Sequence, residues 1–335
     1  MITDSLGRPI KDLRISVTDR CNFRCPYCMP AELYGARYQF LSKPEALTFN
    51  EITSVTRVLA KLGDLKVRLT GGEPLMRENL PDLVAQLSTV DGVKDLTLTT
   101  NGYLLARHAS ALKEAGLKRV TVSLDSLDDQ IFQQMNGRNF TTAKILEGIA
   151  TARAVGLAPI KINVVVQRGV NDHTIVDLAR FFRDSGDIVR FIEYMDVGTR
   201  NRWSLAQVVS ADEILHRIDA ELPLEALPPN YDGEVASRYR YRDGSGEIGV
   251  IASVTKPFCG DCTRLRLSAD GKIYTCLFAS LGHDVKKLLR SGAKDDEIER
   301  MIMRIWRPRS DRYSEERASL PEPRSDKVEM YQVGG

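Results

Sequence analysis

Residues 13–28 have the sequence LRISVTDRCNFRCPYC, which joins a predicted strand over residues 13–18 to three closely spaced cysteines. Cys21, Cys25 and Cys28 would meet on one short loop. A structural zinc site takes four closed ligands, and an ordinary four-iron cluster also takes four cysteines. Three ligands would therefore leave one metal position open for a substrate or cofactor.

A second trio near the other end of the chain repeats this pattern. Cys259, Cys262 and Cys276 are the remaining three of the six cysteines. The structural alternatives are a zinc knuckle at the first trio and half of a zinc ribbon at the second. Both alternatives need a fourth ligand, and no further Cys or His lies between Cys28 and Arg107.

The composition is typical of a soluble globular protein. The 335 residues suffice for one large α/β domain plus a smaller one, and the net charge of +2 gives no general attraction to nucleic acid or membrane. Residues 1–10 contain no apolar run of signal-peptide length, and no segment approaches a membrane span. We therefore expect a cytoplasmic protein, where clustered cysteines are more often metal-binding or catalytic than disulfide-bonded.

Short β-rich runs alternate with helical patterns over the first two thirds of the chain. The predicted strands are residues 13–18, 66–70, 96–100, 119–124, 160–167 and 188–194. The predicted helices are residues 50–62, 79–88, 104–115, 141–155, 172–184 and 211–220, with Asn50 as the N-cap of the first. Six successive β–α units predict a parallel sheet with right-handed crossovers.

Four of these strands carry a cation on their polar face. Arg14, Arg68, Lys161 and Arg190 alternate with apolar residues that must face the helices. Each cation alone would fit a strand end that reaches solvent. Together they favour a cationic interior, whereas a closed eight-stranded barrel has an apolar one. The predicted fold class is therefore α/β, as a partial (β/α)6 TIM-like barrel that is open and holds a charged ligand.

The composition changes near residues 222–229, where prolines predict a linker. Beyond it, residues 235–241 and 248–255 are predicted strands. We expect one domain over residues 1–228, with the barrel and the first trio. The second, over residues 229–335, is a smaller β-rich domain that carries the second trio and closes the barrel mouth.

The first trio and a glycine-rich turn together resemble the radical S-adenosylmethionine (radical SAM) superfamily. The cysteine spacing Cys-x3-Cys-x2-Cys, with Tyr27 before the last Cys, is the specific part, and the run from Gly71 to Pro74, Gly-Gly-Glu-Pro, corroborates it. The resemblance implies a [4Fe–4S] cluster on the first trio, whose fourth iron binds SAM. It implies SAM contacts at Tyr27, Gly72, Ser123 and Met195.

The second trio narrows the resemblance to the GTP 3′,8-cyclase family of molybdenum cofactor biosynthesis. The run Thr-Arg-Leu-Arg-Leu from Thr263, within the second trio, and the terminal pair Gly334-Gly335 contribute to the match. This implies a second [4Fe–4S] cluster that binds guanine and a glycine tail that enters the active site. It also implies catalytic roles for Arg264 and Arg266, in addition to the three cysteines of the first trio. Together with the cationic strand faces, it predicts GTP contacts at Arg14, Arg68, Thr99, Lys161, Arg190, Arg264, Leu265 and Arg266.

The implied reaction converts GTP to 3′,8-cyclo-7,8-dihydro-GTP through a 5′-deoxyadenosyl radical that takes hydrogen from C3′. The expected partners are a one-electron donor and cyclic pyranopterin monophosphate synthase, which would receive the product, with no nucleic acid or membrane; a homodimer is left open. Two other hypotheses remain at this point. One is a radical SAM enzyme acting on a peptide, and the other is a zinc or iron–sulfur protein without enzymatic activity.

Overall fold

The first two thirds of the chain follow the predicted alternation of strands and helices. The structure is a computed structural model that describes residues 2–231, 233–319 and 326–334. The strands are β1 (Asp12–Ser16), β2 (Leu65–Thr70), β3 (Val93–Thr100), β4 (Arg119–Ser123), β5 (Lys161–Val166) and β6 (Ile188–Glu193). The helices are α1 (Phe49–Lys61), α2 (Leu80–Ser88), α3 (Leu105–Glu114), α4 (Asp129–Asn136), α5 (Thr142–Ala154), α6 (Ile175–Phe182) and α7 (Ala211–Asp219).

Two local predictions in this region were wrong or incomplete. Helix α1 is capped by Thr48, not by Asn50, because Thr48 and Glu51 form a reciprocal capping box. Helix α4 was not predicted; it begins after Asp128, whose carboxylate accepts the N–H groups of Gln130 and Ile131.

The remaining elements come from the last third of the chain. The strands are β7 (Leu224–Leu227), β8 (Ser237–Tyr241), β9 (Glu247–Ile251), β10 (Arg264–Leu267), β11 (Lys272–Tyr274) and β12 (His283–Asp284). The helices are α8 (Val285–Arg290), α9 (Asp295–Trp306), α10 (Tyr313–Glu316) and α11 (Met330–Val333). The predicted linker over residues 222–229 thus contains strand β7. None of the helices in the described ranges is both long and apolar enough to cross a bilayer.

All twelve strands belong to one sheet in the order β12-β11-β10-β1-β2-β3-β4-β5-β6-β9-β8-β7. The run from β10 to β9 is parallel throughout, so the six predicted parallel strands become eight. Strands β7, β8, β11 and β12 are antiparallel additions at the edges. The C-terminal strands therefore extend the barrel sheet on both sides, and the division of the chain at residue 228 stays a prediction.

The two faces of the parallel strands differ in the predicted way. Leu13 and Ile15 of β1, and Val189 and Phe191 of β6, are almost fully buried in one large apolar core. The alternate positions carry polar and charged groups. Side chains from all six strands β1 to β6 and from β10 line a single cavity, so the mostly parallel sheet curves around it as a partial barrel.

Candidate active site

A cationic cavity lies inside the curved sheet. Its cationic lining residues are Arg14, Lys66, Arg68, Arg119, Lys161, Arg190, Arg264, Arg266 and Arg309. Its acidic lining residues are Asp12, Asp95, Glu234 and Asp311. The excess of cations is suited to a multiply charged anion, since Arg matches phosphate oxygens bidentately.

The predicted GTP-contacting cations converge here as the strand pattern indicated. Burial and repulsion between neighbours lower the pKa of the guanidinium groups of Arg14, Arg68 and Arg190, and lower the pKa of Lys161 to about 8. Such crowding is unfavourable until an anion enters the cavity.

Neutral hydroxyl and amide groups orient two of these cations. Arg68 Nη1 donates to Thr99 Oγ1 at 2.9 Å, and Arg190 Nη2 donates to Asn163 Oδ1 at 2.7 Å. Leu265 behaves differently from its neighbours in β10, because its side chain is fully buried in the apolar core. Leu265 is not among the residues that line the cavity, so a GTP contact at this position would have to come from its backbone.

The second trio lines the same cavity. Cys259, Cys262 and Cys276 are all partly buried lining residues. Arg264 donates to Cys262 Sγ from Nε at 3.3 Å and from Nη2 at 3.2 Å. Burial alone would raise the pKa of the Cys262 thiol, but the positive charges of Arg264 and Arg309 have the larger effect and lower this pKa to about 6. Burial raises the pKa of the Cys276 thiol to about 11.

The first trio lies on the loop after β1, at the carboxyl end of the strand. The backbone N–H of Cys28 donates to Cys25 O at 2.9 Å, which closes a tight turn. Burial raises the pKa of Cys21 to about 12, and burial together with the neighbouring thiols raises the pKa of Cys25 and Cys28. Burial therefore favours the neutral form of all three thiols, and a bound cation would favour the thiolates.

Within the described ranges, no three His, Cys, Asp or Glu side chains are grouped so that they could share a single metal ion. A [4Fe–4S] cluster binds each of its cysteines at a different iron, so its ligands do not have to converge on one point.

Gly71 and Gly72 hold the loop that leads to the first trio. A Cβ atom on Gly71 would lie 2.4 Å from Thr18 O, and one on Gly72 would lie 2.3 Å from Arg20 O. The N–H of Gly72 donates to Thr18 O at 2.8 Å. Only glycine permits this approach of two backbones, so the Gly-Gly pair fixes the start of the cysteine loop.

The predicted SAM contacts lie in different surroundings. Tyr27 Oη donates to Asp125 Oδ2 at 2.8 Å, and burial raises the pKa of Asp125 to about 6. Ser123 is partly exposed at the carboxyl end of β4, in the strand that leads to Asp125. Met195 lines the cationic cavity and, like Cys276, packs against the apolar cluster that contains Phe278.

The C-terminal tail connects the first trio with the cavity. Tyr331 packs in a small cluster with Cys21 and Cys28, and its carbonyl accepts a hydrogen bond from Ser16 Oγ at 3.3 Å. Farther along, Arg266 donates to the carbonyls of Val333 and Gly334. Gly335 lies outside the described residues.

Two carboxylates anchor the start of this tail. Lys327 Nζ lies 2.9 Å from Asp196 Oδ2, and both side chains are almost fully buried. Glu329 Oε1 accepts the N–H and the hydroxyl of Thr199, both at 3.0 Å. The loop after β6 thus holds the tail on its way to the cavity.

Several residues of the site were not predicted from the sequence. Lys66 and Arg119 lie toward the amino ends of β2 and β4, and Lys66 Nζ lies 3.0 Å from the centre of the Tyr231 ring. Arg119 pairs with Asp95. Lys66 continues the alternation that includes Arg68, so the strand pattern contained a signal for it, whereas nothing local indicated Tyr231.

Two family models match consecutive parts of the chain. The Radical SAM superfamily model matches residues 15–182, and the Molybdenum Cofactor Synthesis C model matches residues 187–315.

Known proteins show the same likeness over the whole length. A GTP 3′,8-cyclase of Acidothermus cellulolyticus is 56% identical over 95% of this chain and 89% of its own length. A GTP 3′,8-cyclase of Staphylococcus epidermidis is 49% identical over 100% of this chain and 99% of its own length. Among solved structures, Streptococcus suis SuiB bound to S-adenosylmethionine is similar with a TM-score of 0.61 at 17% identity, over 88% of this chain and 68% of that one. This last likeness concerns the fold alone.

Proposed function

We propose roles for the site residues of a chain that belongs to the radical SAM superfamily and, within it, to the GTP 3′,8-cyclase family. The chain is a GTP 3′,8-cyclase of molybdenum cofactor biosynthesis, which converts GTP to 3′,8-cyclo-7,8-dihydro-GTP with SAM and two [4Fe–4S] clusters. When bound, the cluster and SAM supply the 5′-deoxyadenosyl radical that removes hydrogen from C3′ of GTP. The protein residues bind, orient and shield the reactants.

We assign the SAM-binding cluster to Cys21, Cys25 and Cys28. Burial raises the pKa of all three thiols, and bound iron would supply the positive charge that stabilises three neighbouring thiolates. The Gly71-Gly72 turn would position their loop. Tyr27, Gly72, Ser123 and Met195 are the proposed SAM contacts.

We assign the second cluster to Cys259, Cys262 and Cys276, with the guanine of GTP at its open iron. The single observation that carries this proposal is that the second trio and the strand cations line one cavity. Arg14, Arg68, Lys161, Arg190, Arg264 and Arg266 would hold the triphosphate and ribose, together with Thr99 and the backbone of Leu265. A pocket with nine cations and four carboxylates suits a nucleotide triphosphate better than an ordinary peptide.

The direct test is turnover under anaerobic conditions. Reconstituted protein with SAM, dithionite and GTP should form 5′-deoxyadenosine and the cyclised nucleotide together. Equilibrium binding should show that GTP, and inorganic triphosphate more weakly, compete for one site. Formation of deoxyadenosine with GTP unchanged, or no competition by triphosphate, would refute the assigned pocket.

We propose that the Gly-Gly tail completes the substrate site. A Cβ atom on Gly334 would lie 2.1 Å from Thr70 Cγ2, and the φ of Gly334 is 68°. We expect Gly334→Ala to displace the tail and to lower cyclisation by about 10²-fold, as misplacement by about 1 Å can do. Deoxyadenosine formation without GTP should be retained.

A second substitution provides the control for this tail variant. Thr70→Ser removes the Cγ2 atom that the new methyl group would meet, so the double variant should recover part of the lost cyclisation rate. The positive φ remains, so recovery should be incomplete. Wild-type turnover in Gly334→Ala alone would exclude a role for the tail.

The charge of Lys161 should make GTP binding depend on pH. In the free protein, burial and the nearby Arg190, Arg119 and Arg68 lower its pKa to about 8, against the opposing effect of Glu234. A bound triphosphate favours the protonated form, so GTP affinity should fall as the pH rises above 8, by up to about tenfold per unit.

Lys161→Arg is the matched control, because its guanidinium stays charged across this range. Isothermal titration with GTP from pH 7 to 9 should give a steeper loss of affinity in the wild type than in Lys161→Arg. Because GTP itself titrates equally in both experiments, parallel curves would show that Lys161 does not meet the phosphates.

We further propose that the protein acts in the cytoplasm and takes one electron per SAM from a separate donor. Cyclic pyranopterin monophosphate synthase would receive the product. A homodimer stays an open prediction.

A further inference from the structure

The N-terminal residues form a small closed loop around one carboxylate. Thr3 pairs with Pro9 in an antiparallel bridge. Inside this loop, Asp4 Oδ1 accepts the backbone N–H of Leu6 at 3.0 Å and of Arg8 at 2.9 Å. The position of Asp4 is therefore fixed by the backbone.

The other oxygen of Asp4 joins two buried arginines from opposite ends of the chain. Asp4 Oδ2 lies 2.7 Å from Arg8 Nε and 3.0 Å from Arg309 Nη1. The side chains of Asp4, Arg8 and Arg309 are 0%, 2% and 1% exposed. We call these three residues the buried triad. Trp306 packs under it, with its ring 4.5 Å from the Arg309 guanidinium and its Nε1 donating to Arg8 O at 3.0 Å.

The triad also donates to Asp311 and to the segments that carry the second trio. Arg8 Nη1 donates to Cys259 O at 2.6 Å. Arg309 donates to Cys262 O from Nη1 at 2.8 Å and to Thr275 O from Nε at 3.2 Å. Thr275 directly precedes Cys276. Two guanidinium groups thus fix the backbone at, or next to, all three cysteines.

We propose that Asp4, Arg8 and Arg309 are positioning residues for the second iron–sulfur cluster, which they align through the backbone of its three cysteines. This inference rests on the proposed assignment of that cluster to Cys259, Cys262 and Cys276. A planar guanidinium can hold two groups in fixed directions, and here each links the central carboxylate to carbonyls of the second trio.

The energetics of buried charges support a role beyond ordinary packing. Whole buried ion triads can often be replaced by well-packed apolar residues without loss of stability, so stability alone does not account for this triad. The triad joins three segments that are remote in sequence and carry the three ligands. Residues that orient metal ligands in this way commonly control how firmly the metal is held.

Conservative variants separate this role from a general effect on folding. Asp4→Asn keeps the shape of the central group but removes its charge. Arg309→Lys keeps the charge but cannot reach Asp4, Cys262 O and Thr275 O at once. Arg307→Lys is the matched control, since Arg307 is an exposed residue two positions away whose Nη2 donates to Met303 Sδ at 3.9 Å.

Each reconstituted full-length protein is analysed for iron, for the electron paramagnetic resonance spectrum after reduction, and for deoxyadenosine formed without GTP. The last readout reports the first cluster. We expect the iron content of the Asp4→Asn protein to be about four atoms per chain, against about eight in the wild type, while deoxyadenosine formation is retained. Arg309→Lys should show intermediate iron and an altered second-cluster spectrum, and Arg307→Lys should match the wild type.

Three results would overturn the proposal. Eight irons and a wild-type spectrum in both triad variants would show that the triad does not align the cluster. Loss of both clusters in both variants would assign the triad to the fold as a whole. A wild-type protein with only about four irons would refute the second cluster itself, and this result is visible before any variant is made.

Discussion

Cys25→Ser is expected to abolish 5′-deoxyadenosine formation and to lower the iron content from about eight to about four atoms per chain. Serine is nearly the same size, and the backbone carbonyl of Cys25 would still accept the N–H groups of Cys28 and Met29. The loop should therefore keep its shape while the first cluster loses one of its three thiolates. Since SAM cleavage depends on that cluster, GTP cyclisation should disappear as well.

Cys259→Ser is the complementary variant. It should also retain about four irons, but they should belong to the first cluster, so deoxyadenosine should still form when GTP is absent. Cyclisation of GTP should be lost. A Cys25→Ser protein that keeps eight irons, or that still cleaves SAM, would show that the first trio is not the SAM site.

Arg266→Ala is expected to lower GTP cyclisation by roughly 10²-fold while SAM cleavage without GTP continues. Arg266 is only 2% exposed in the cavity and donates to the carbonyls of Val333 and Gly334. Each hydrogen bond from a charged group contributes about 1.5–3 kcal/mol, so loss of the guanidinium removes a tether of the tail together with the proposed phosphate contact. The measurements are the GTP dissociation constant and the two product yields.

Arg240→Ala, on the exposed side of β8, is the control for a general loss of positive charge. Arg240 pairs with Glu225 at the surface, so its removal should leave GTP binding unchanged. Simultaneous loss of SAM cleavage and GTP binding in Arg266→Ala would mean that Arg266 supports a cluster or the fold. It would then have no specific role at the substrate.

The barrel strands could be predicted because each repeats the same two-residue alternation. Arg14 between Leu13 and Ile15, and Arg190 between Val189 and Phe191, have one possible orientation once the apolar residues face the helices. The convergence of these cations in one cavity follows from the parallel topology.

The missed features divide into two kinds. The N-cap at Thr48 had a local signal, because Thr48 and Glu51 have the spacing of a capping box. The pairing of β10 with β1 had none, since Arg264 and Asp12 become neighbours only in the folded sheet. The same is true of Asp4 and Arg309, whose contact joins the two ends of the chain. The short-range periodicity of a sequence does not indicate which residues remote in the chain come into contact.

The measurement that tests the central claim most directly is the iron, sulfide and zinc content of anaerobically purified protein. Two trios that each hold a [4Fe–4S] cluster predict about eight irons and about eight sulfides per chain, with no zinc. Stoichiometric zinc without sulfide would contradict the assignment of both trios and, with it, the proposed placement of SAM and GTP.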